Sequence, residues 1–221
     1  MGGELVRLAD RLLVLQKRAA PALTVTYRAS TTLYNGGVTT FNAPIPTGTQ
    51  NGDLLLLWFE SPYTNETLTA PSGWTAAISL FSDGVTYTDA CYWAVYSGTL
   101  ALGFAAGHVD SKVVVDAYYN QSASSPIGQV AYSNNASSTS VACGTITPVS
   151  TNNMLVAALG MGYSDTVTDP AGYTTGGTLA NTYGTAQSAY EQVPNLSAQS
   201  PSFTLSTAHV SGGMLVEIAH G

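Results

Sequence analysis

The feature that most limits the possible folds is an internal repeat with a period of about 100 residues. Asn51–Leu55 recurs as Asn152–Val156, and the turn Ala70–Thr75 recurs as Asp169–Thr174. Three further landmarks follow in the same order, at offsets of 98 to 101 positions: Tyr92 and Val95 with Tyr190 and Val193, Gly107–Val109 with Ala208–Val210, and Val113–Asp116 with Met214–Glu217. The conserved order indicates a tandem duplication of one structural unit.

The hydrophobic pattern after Pro21 is that of an all-β protein. Short runs rich in Val, Thr, Tyr and Phe alternate with clusters of Gly, Asn, Asp, Ser and Pro about every 10 residues, as in β-sandwiches and barrels. Asp53–Phe59 is almost continuously apolar, which predicts a central strand covered on both faces. In the Pro-x-Gly-aromatic-Thr turns, Trp74 and Tyr173 are expected to fold back onto the core.

These patterns predict a β-sandwich or jelly roll built from two pseudo-repeats of about 100 residues, 22–121 and 122–221. The short polar linker near residues 120–125 is compatible with one jelly roll or with two separate immunoglobulin-like sandwiches.

Residues 1–21 are predicted to form an amphipathic helix that ends at Pro21. Its apolar residues are spaced by three and four positions and lie on one stripe: Leu5, Leu8, Leu12 and Leu15, followed by Ala19. Two heptads are too short to be stable alone in water, so the stripe must pack on something. Its own sandwich, a second copy of the chain and a foreign protein all remain open. The four leucines are therefore predicted to serve oligomerisation or anchoring.

The charges are few and unevenly distributed. Only 9% of residues are charged, against a typical value of about 25%. Four of the six basic residues lie in the first 18 positions, which leaves two basic and eleven acidic residues in the body. A nucleic-acid groove, which needs clustered Lys and Arg, is therefore not expected.

No run of 18 apolar residues suggests a membrane span, and charges interrupt any signal-peptide core. A surface hydrated by hydroxyls and amides favours an extracellular or virion protein.

No catalytic, metal or cofactor motif is recognisable. The chain lacks a Gly-x-Ser-x-Gly elbow, a His-Glu-x-x-His helix, a phosphate loop and zinc-type cysteine pairs. His108 and His209 occupy equivalent repeat positions, so they are expected at separate sites with packing or turn roles. Cys91 and Cys143 lie in apolar runs and are expected to be buried free thiols, although one disulfide is possible. The protein is therefore predicted not to be an enzyme and to need no cofactor.

Acidic residues and aromatic rings leave a carbohydrate function open. A glycosidase would need two converging carboxylates, and nothing in the sequence brings together Asp110, Asp116, Glu191 or Glu217. Trp58, Trp74 and Trp93 lie in strand or turn contexts that favour the core. Possible glycan contacts are tyrosines in loops: Tyr63, Tyr87, Tyr163 and Tyr183.

Several of these segments resemble a family of β-sandwich repeat proteins found in tailed-phage virions and on bacterial surfaces. The resemblance rests on five motifs: Gly52–Leu55, Pro71–Thr75, Tyr92–Trp93, Val114–Tyr118 and Ser125–Ile127. The second copy departs from the pattern at Asn153–Met154 and at Tyr173. The resemblance implies a virion decoration or tail-fibre module, and it supplies no catalytic residue.

The expected function is therefore that of a capsid decoration, or cement, protein on the surface of a virion. Such a protein would be a homo-oligomer, with a trimer favoured, and would bind the major capsid protein or another virion protein. Alternatives are a tail-fibre or host-adhesion module that binds glycans, and a carbohydrate-binding module or glycosidase.

Overall fold

The computed structural model describes residues 23–221, and this part of the chain is all-β. The predicted helix, with Leu5, Leu8, Leu12 and Leu15, lies outside the described residues. The fourteen strands are β1 (Thr26–Asn35), β2 (Thr40–Asn42), β3 (Leu54–Ser61), β4 (Leu68–Thr69), β5 (Thr75–Ser82), β6 (Thr88–Val95), β7 (Gly103–Ala106), β8 (Ser111–Tyr119), β9 (Ile127–Ala142), β10 (Met154–Met161), β11 (Val167–Thr168), β12 (Thr174–Asn181), β13 (Gly184–Gln192) and β14 (Ser202–Ile218). Within residues 23–221, no helix is long and apolar enough to cross a membrane.

The strands form three antiparallel sheets. The first large sheet has the order β1-β8-β3-β6-β5, and a small sheet has the order β2-β7-β4. In the second large sheet, β14 lies between β9 and β10, and β13 and β12 follow. The long strands β9 and β14 also continue beyond this sheet, where Val141 pairs with Phe203 as Phe41 pairs with Phe104 in the small sheet. The strand order is therefore the same in the first half, 23–121, and the second half, 122–221.

The two large sheets pack face to face across a central core. Alternate residues of β3, such as Leu56 and Trp58, meet Val156 and Ala158 of β10 there. The opposite faces are also covered, because Leu55, Leu57 and Phe59 pack against the small sheet. The extensions of β9 and β14 cover the second large sheet in the same way. Every residue of β3 and β10 is buried, which confirms the prediction of a central strand covered on both faces.

The aromatic turn residues and the cysteines also lie where they were predicted. Trp74 N donates to Pro71 O, and Tyr173 N donates to Pro170 O, over glycines with positive φ in both turns. Trp74 is buried, and its Nε1 donates to Ala101 O at 2.9 Å. Cys91 and Cys143 are buried and free.

Strand register corrects three of the five pairings inferred from the repeat. Leu55 faces the small sheet, whereas Val156 faces the central core with Leu56, so Leu56, and not Leu55, is the counterpart of Val156. Asp116 pairs with Leu56 and Val216 pairs with Val156, so Asp116 corresponds to Val216 and not to Glu217. Asp116 faces the central core, whereas Glu217 takes the position of Ala117 and accepts from Asn153 Nδ2 at 2.6 Å. By the same rule Trp93, and not Tyr92, is the counterpart of Tyr190. A slip of one residue moves a strand side chain to the other face of its sheet.

A row of three charged residues crosses the face of the first large sheet that meets the second. Glu60 pairs with Lys112 on one side and with Asp89 on the other. All three are buried, and Lys112 Nζ donates to Glu60 Oε2 at 2.7 Å. Neither carboxylate oxygen of Asp89 has a hydrogen-bond partner among the described residues. We call Glu60, Asp89 and Lys112 the charged row.

The positions equivalent to the charged row in the second large sheet hold small residues. Gly160 pairs with Gly212 on one side and with Ala186 on the other. A Cβ atom on Gly160 or on Gly212 would overlap the carboxylate of Asp89. The second half therefore makes room for the charges that the first half supplies.

Burial raises the pKa of the carboxyl groups between the sheets. The pKa of Asp89 is raised by desolvation and by Glu60, and Lys112 only partly offsets this. Desolvation also raises the pKa of Glu60, against the opposing effect of Lys112. Desolvation raises the pKa of Asp116 to about 7, although hydrogen bonds from Ser188, Trp58 and Tyr118 lower it. Each group is easier to bury in its neutral form.

The strands carry the loops to two opposite ends of the molecule. β1, β3 and β10 all begin at one end, where Val25 N donates to Asn152 O at 3.0 Å. This proximal end is where residues 1–22 join the described chain. At the other, distal end, loops 62–67 and 162–166 follow β3 and β10.

We expect Gly160→Ala to destabilise the fold by about 1–3 kcal/mol, because the added methyl group must displace Asp89 from a packed core. Gly98→Ala is the matched control, since a Cβ atom there meets nothing within 4 Å. Calorimetry measures the melting temperature of both variants. A double variant, Gly160→Ala with Asp89→Ala, should recover part of the stability that Gly160→Ala loses. Equal melting temperatures for the two single variants would contradict the packing described.

We expect the melting temperature to fall as the pH rises from 5 to 8. Asp89, Glu60 and Asp116 have raised folded-state pKa values, so their stabilising effect is complete below about pH 4 and is lost as the pH rises through those values. For Asp116 alone, the loss between pH 5 and its folded-state pKa of about 7 is on the order of 3 kcal/mol.

Asp116→Asn should flatten this pH dependence in thermal melts. Asp83→Asn is the control, because hydrogen bonds from Thr86 and neighbouring backbone outweigh desolvation and lower the pKa of Asp83, so it titrates below the range tested. If Asp116→Asn leaves the slope of melting temperature against pH unchanged, the slope does not arise from Asp116.

Candidate functional site

Four tyrosines form a surface at the distal end, which we call the distal tyrosine face: Tyr34, Tyr63, Tyr163 and Tyr183. Tyr183 is 51% exposed, Tyr163 is 42% exposed and Tyr34 is 36% exposed, while Tyr63 is partly buried. Tyr34 ends β1, Tyr63 and Tyr163 follow β3 and β10, and Tyr183 lies in the turn between β12 and β13. Both halves of the chain contribute two rings.

In the first half, Tyr63 stacks on His108, with ring centroids 4.6 Å apart. His108 Nδ1 lies 3.7 Å from Oε1 of the buried Glu66. The same Oε1 accepts from three backbone amides, those of Thr67, Gly107 and His108, at 2.5–3.0 Å. Ser61 Oγ donates to Glu66 Oε2 at 2.7 Å. Glu66 therefore holds the Tyr63 loop against the His108 loop.

The second half repeats this arrangement with a shorter acid. Tyr163 stacks on His209 at 4.7 Å, and His209 Nε2 lies 3.7 Å from Asp165 Oδ2. Asp165 accepts from Thr207 N at 2.9 Å and from Ser206 Oγ. Desolvation alone would raise the pKa of Asp165, but these hydrogen bonds outweigh it and the pKa is lowered. The carboxylate is thus held in its charged form as a link between two loops.

Tyr34 and Tyr183 join the two halves at this end. Their rings are nearly parallel, with centroids 6.1 Å apart. Tyr34 Oη donates to Asp110 Oδ1 at 2.5 Å, and this hydrogen bond raises the pKa of Tyr34 to about 12. Asp110 has a φ of 69°, a left-handed conformation that only a few per cent of non-glycine residues adopt. Tyr34 therefore stays neutral and oriented at neutral pH.

The equivalent loops of the two halves also touch each other. A Cβ atom on Gly162 would lie 2.8 Å from Thr86 O and 3.7 Å from Pro62 Cβ. Thr88 Oγ1 donates to Tyr63 O, and Thr185 Oγ1 donates to Tyr163 O. The four tyrosines therefore lie on neighbouring loops at the same end of the molecule.

The described residues offer no free cation near this surface. Only two of them are basic, Arg28 and Lys112. Lys112 is buried against Glu60, and Arg28 Nε lies 2.6 Å from Asp53 Oδ2 at the proximal end. Asp110 lies within the distal tyrosine face, and the loop of Asp83 lies at the same end. The carboxylates at this end therefore have no exposed Lys or Arg among residues 23–221 to offset them.

The structure brings together some of the predicted site residues and not others. Tyr63, Tyr163 and Tyr183 lie together, but Tyr87 is fully buried and donates to Asn134 Oδ1 at 3.0 Å, so its prediction as a surface contact is wrong. His108 and His209 lie in separate stacks, as predicted. Tyr34, Glu66 and Asp165 were not predicted, since nothing in the sequence pattern marks a contact between distant loops.

The acidic residues considered for glycoside hydrolysis lie in separate surroundings. Asp110 bonds Tyr34, Asp116 accepts from Trp58 Nε1 at 2.8 Å, and Glu217 bonds Asn153. Among residues 23–221 there is no group of three or more His, Cys, Asp or Glu residues that could hold a metal ion.

Comparison with known proteins returned no match to a family model, a curated protein or a solved structure.

We expect Glu66→Ala to lower the free energy of unfolding by about 2 kcal/mol, because hydrogen bonds to a charged group contribute about 1.5–3 kcal/mol. Asn65→Ala is the control. Asn65 precedes Glu66, but its side chain is exposed, and a change at an exposed site is expected to alter the free energy of unfolding by no more than about 0.5 kcal/mol. Urea unfolding followed by Trp fluorescence measures the two midpoints. Coincident midpoints would show that Glu66 does not link the loops.

Proposed function

We propose that residues 22–121 and 122–221 are two copies of one β-sandwich unit, packed through their large sheets into a single body. The shared strand order and the matched Tyr63–His108 and Tyr163–His209 stacks support this proposal. The central core between the two large sheets favours one joined body over two separate sandwiches.

We further propose that the protein is a non-enzymatic structural protein of a virion, a decoration or cement protein that coats the capsid. The observation that carries this proposal is that the two ends of the molecule differ. Residues 1–22, with their leucine stripe and four basic residues, join at the proximal end, while the exposed tyrosines lie at the distal end. One end can thus attach to the particle while the other faces the solvent.

The proposed partners follow from the same difference between the two ends. Leu5, Leu8, Leu12 and Leu15 would join copies of the chain, with a trimer favoured, or anchor it on the major capsid protein. The acidic, hydroxyl-rich body would remain hydrated at the particle surface. The resemblance to phage sandwich repeats supports the same location.

Deletion of residues 1–20 should abolish both self-association and binding to capsids, because it removes the four leucines of the predicted apolar stripe. Light scattering gives the mass of each form, and co-sedimentation with capsids that lack the protein measures attachment. A full-length Leu8→Asp, Leu12→Asp variant is the matched control for loss of the stripe alone. A truncated protein that keeps its mass and still coats capsids would rule out this role for the segment.

A second candidate function is host adhesion, as part of a tail fibre or as a surface module. The distal tyrosine face favours it, because exposed aromatic rings from two halves converge on one end. The same face could also serve a decoration protein that captures a surface polysaccharide.

A further inference from the structure

We propose that the distal tyrosine face binds an uncharged polysaccharide chain. This inference rests on the second candidate function, host adhesion, and adds the chemical class of the ligand. The decoration role through residues 1–22 does not depend on it.

The arrangement of the rings fits a chain of sugar residues. Tyr34 and Tyr183 stack on each other, and Tyr63 and Tyr163 each stack on a histidine, so each ring is braced by a neighbour. Aromatic rings present apolar faces, and the hydroxyl group of tyrosine adds a polar contact. Tyr63 and Tyr163 come from equivalent loops of the two halves, so the face offers two similar ring contacts to the repeating units of a polymer.

The loops that carry the rings are fixed before any ligand binds. Glu66 and Asp165 each accept several hydrogen bonds from the facing loop, and Asp110 orients Tyr34. Fixed loops reduce the entropy lost on binding, which is a large cost for weak sugar contacts.

Polar groups surround the rings, so ligand hydroxyls would find partners. Asn65 and Thr182 are exposed beside Tyr63 and Tyr183. A surface depression of about 310 Å³ lies at the same end, between the loop of Asp83 and Val85 and the strand segment of Asn134 and Asn135. Amide and hydroxyl groups both donate and accept hydrogen bonds, as sugar hydroxyls do.

The charge at this end selects against anionic ligands. Of the two described basic residues, Lys112 is buried and Arg28 is paired with Asp53 at the far end. Asp110 lies beside the rings, and desolvating it against a carboxylate or phosphate would cost energy without a compensating cation. Uronic acid polymers, teichoic acids and nucleic acids are therefore disfavoured, and a protein ligand would need basic residues to pair with the carboxylates at this end.

The experiment is affinity electrophoresis and isothermal titration of the full-length protein with defined polysaccharides. The neutral probes are an α-glucan, a mannan and a galactan, and the anionic probes are alginate and hyaluronan. We expect binding to at least one neutral probe, with little dependence on salt, and no binding to the anionic probes. Binding that requires an anionic probe would overturn the inference while leaving adhesion possible. Absence of binding to every probe would overturn both, and capsid attachment through residues 1–22 would be unaffected.

Variants locate the site on the distal end. Tyr183→Ala and Tyr163→Ala should each weaken binding at least about tenfold, as expected for central aromatic contacts. Tyr183→Phe keeps the ring and should retain most of the affinity. Tyr132→Ala is the matched control, because Tyr132 is 57% exposed but packs on Phe81 and not on any ring of the distal tyrosine face. Equal loss in Tyr132→Ala and Tyr183→Ala would place binding elsewhere and overturn the assignment.

Discussion

Asp89 of the buried charged row in the first large sheet lies against Gly160 and Gly212 in the second, and this contact sets how the two sheets meet. Two copies of the first sheet facing each other would bring two charged rows together in a core, where polar groups without partners are costly to bury. Two copies of the second would leave empty space, which is also destabilising. The two halves therefore fit each other better than either could fit itself.

Face-to-face packing of the large sheets explains why the strands are so apolar in a chain so poor in charge. Both faces of β3 and β10 are covered, so alternation between apolar and polar residues disappears from these strands. Apart from buried groups such as Asp116 and the charged row, most polar residues lie at the edges of the sheets, in turns and at the ends of the strands. Loop side chains such as those of Glu66 and Asp165 then become the links that hold neighbouring loops in place.

Much of the fold could be predicted from the sequence, because strands of continuous apolar residues and the Pro-x-Gly-aromatic turns are local signals. The pairing of Asp116 with Glu217 was wrong, since repeat offsets that drift by one residue do not reveal which face of a sheet a side chain occupies. Tyr87 was misplaced for a related reason: it lies in a loop, but that loop is covered by Asn134 of the other half. The contact of Tyr34 with Tyr183 joins residues far apart in the chain and has no local signature.

The two halves differ where they meet and agree where they face outward. At the contact between the sheets, Asp89 lies opposite Gly160 and Gly212, whereas at the distal end each half keeps a tyrosine, a histidine and a carboxylate. Because β3 and β10 run in the same direction, the loop that follows each strand emerges at the same end of the body. If the two halves are copies of one unit, as we propose, residues where the copies meet must change to fit each other, whereas the outward-facing loops need not change. The proposed duplication would thus account both for the asymmetric core and for the paired tyrosine stacks.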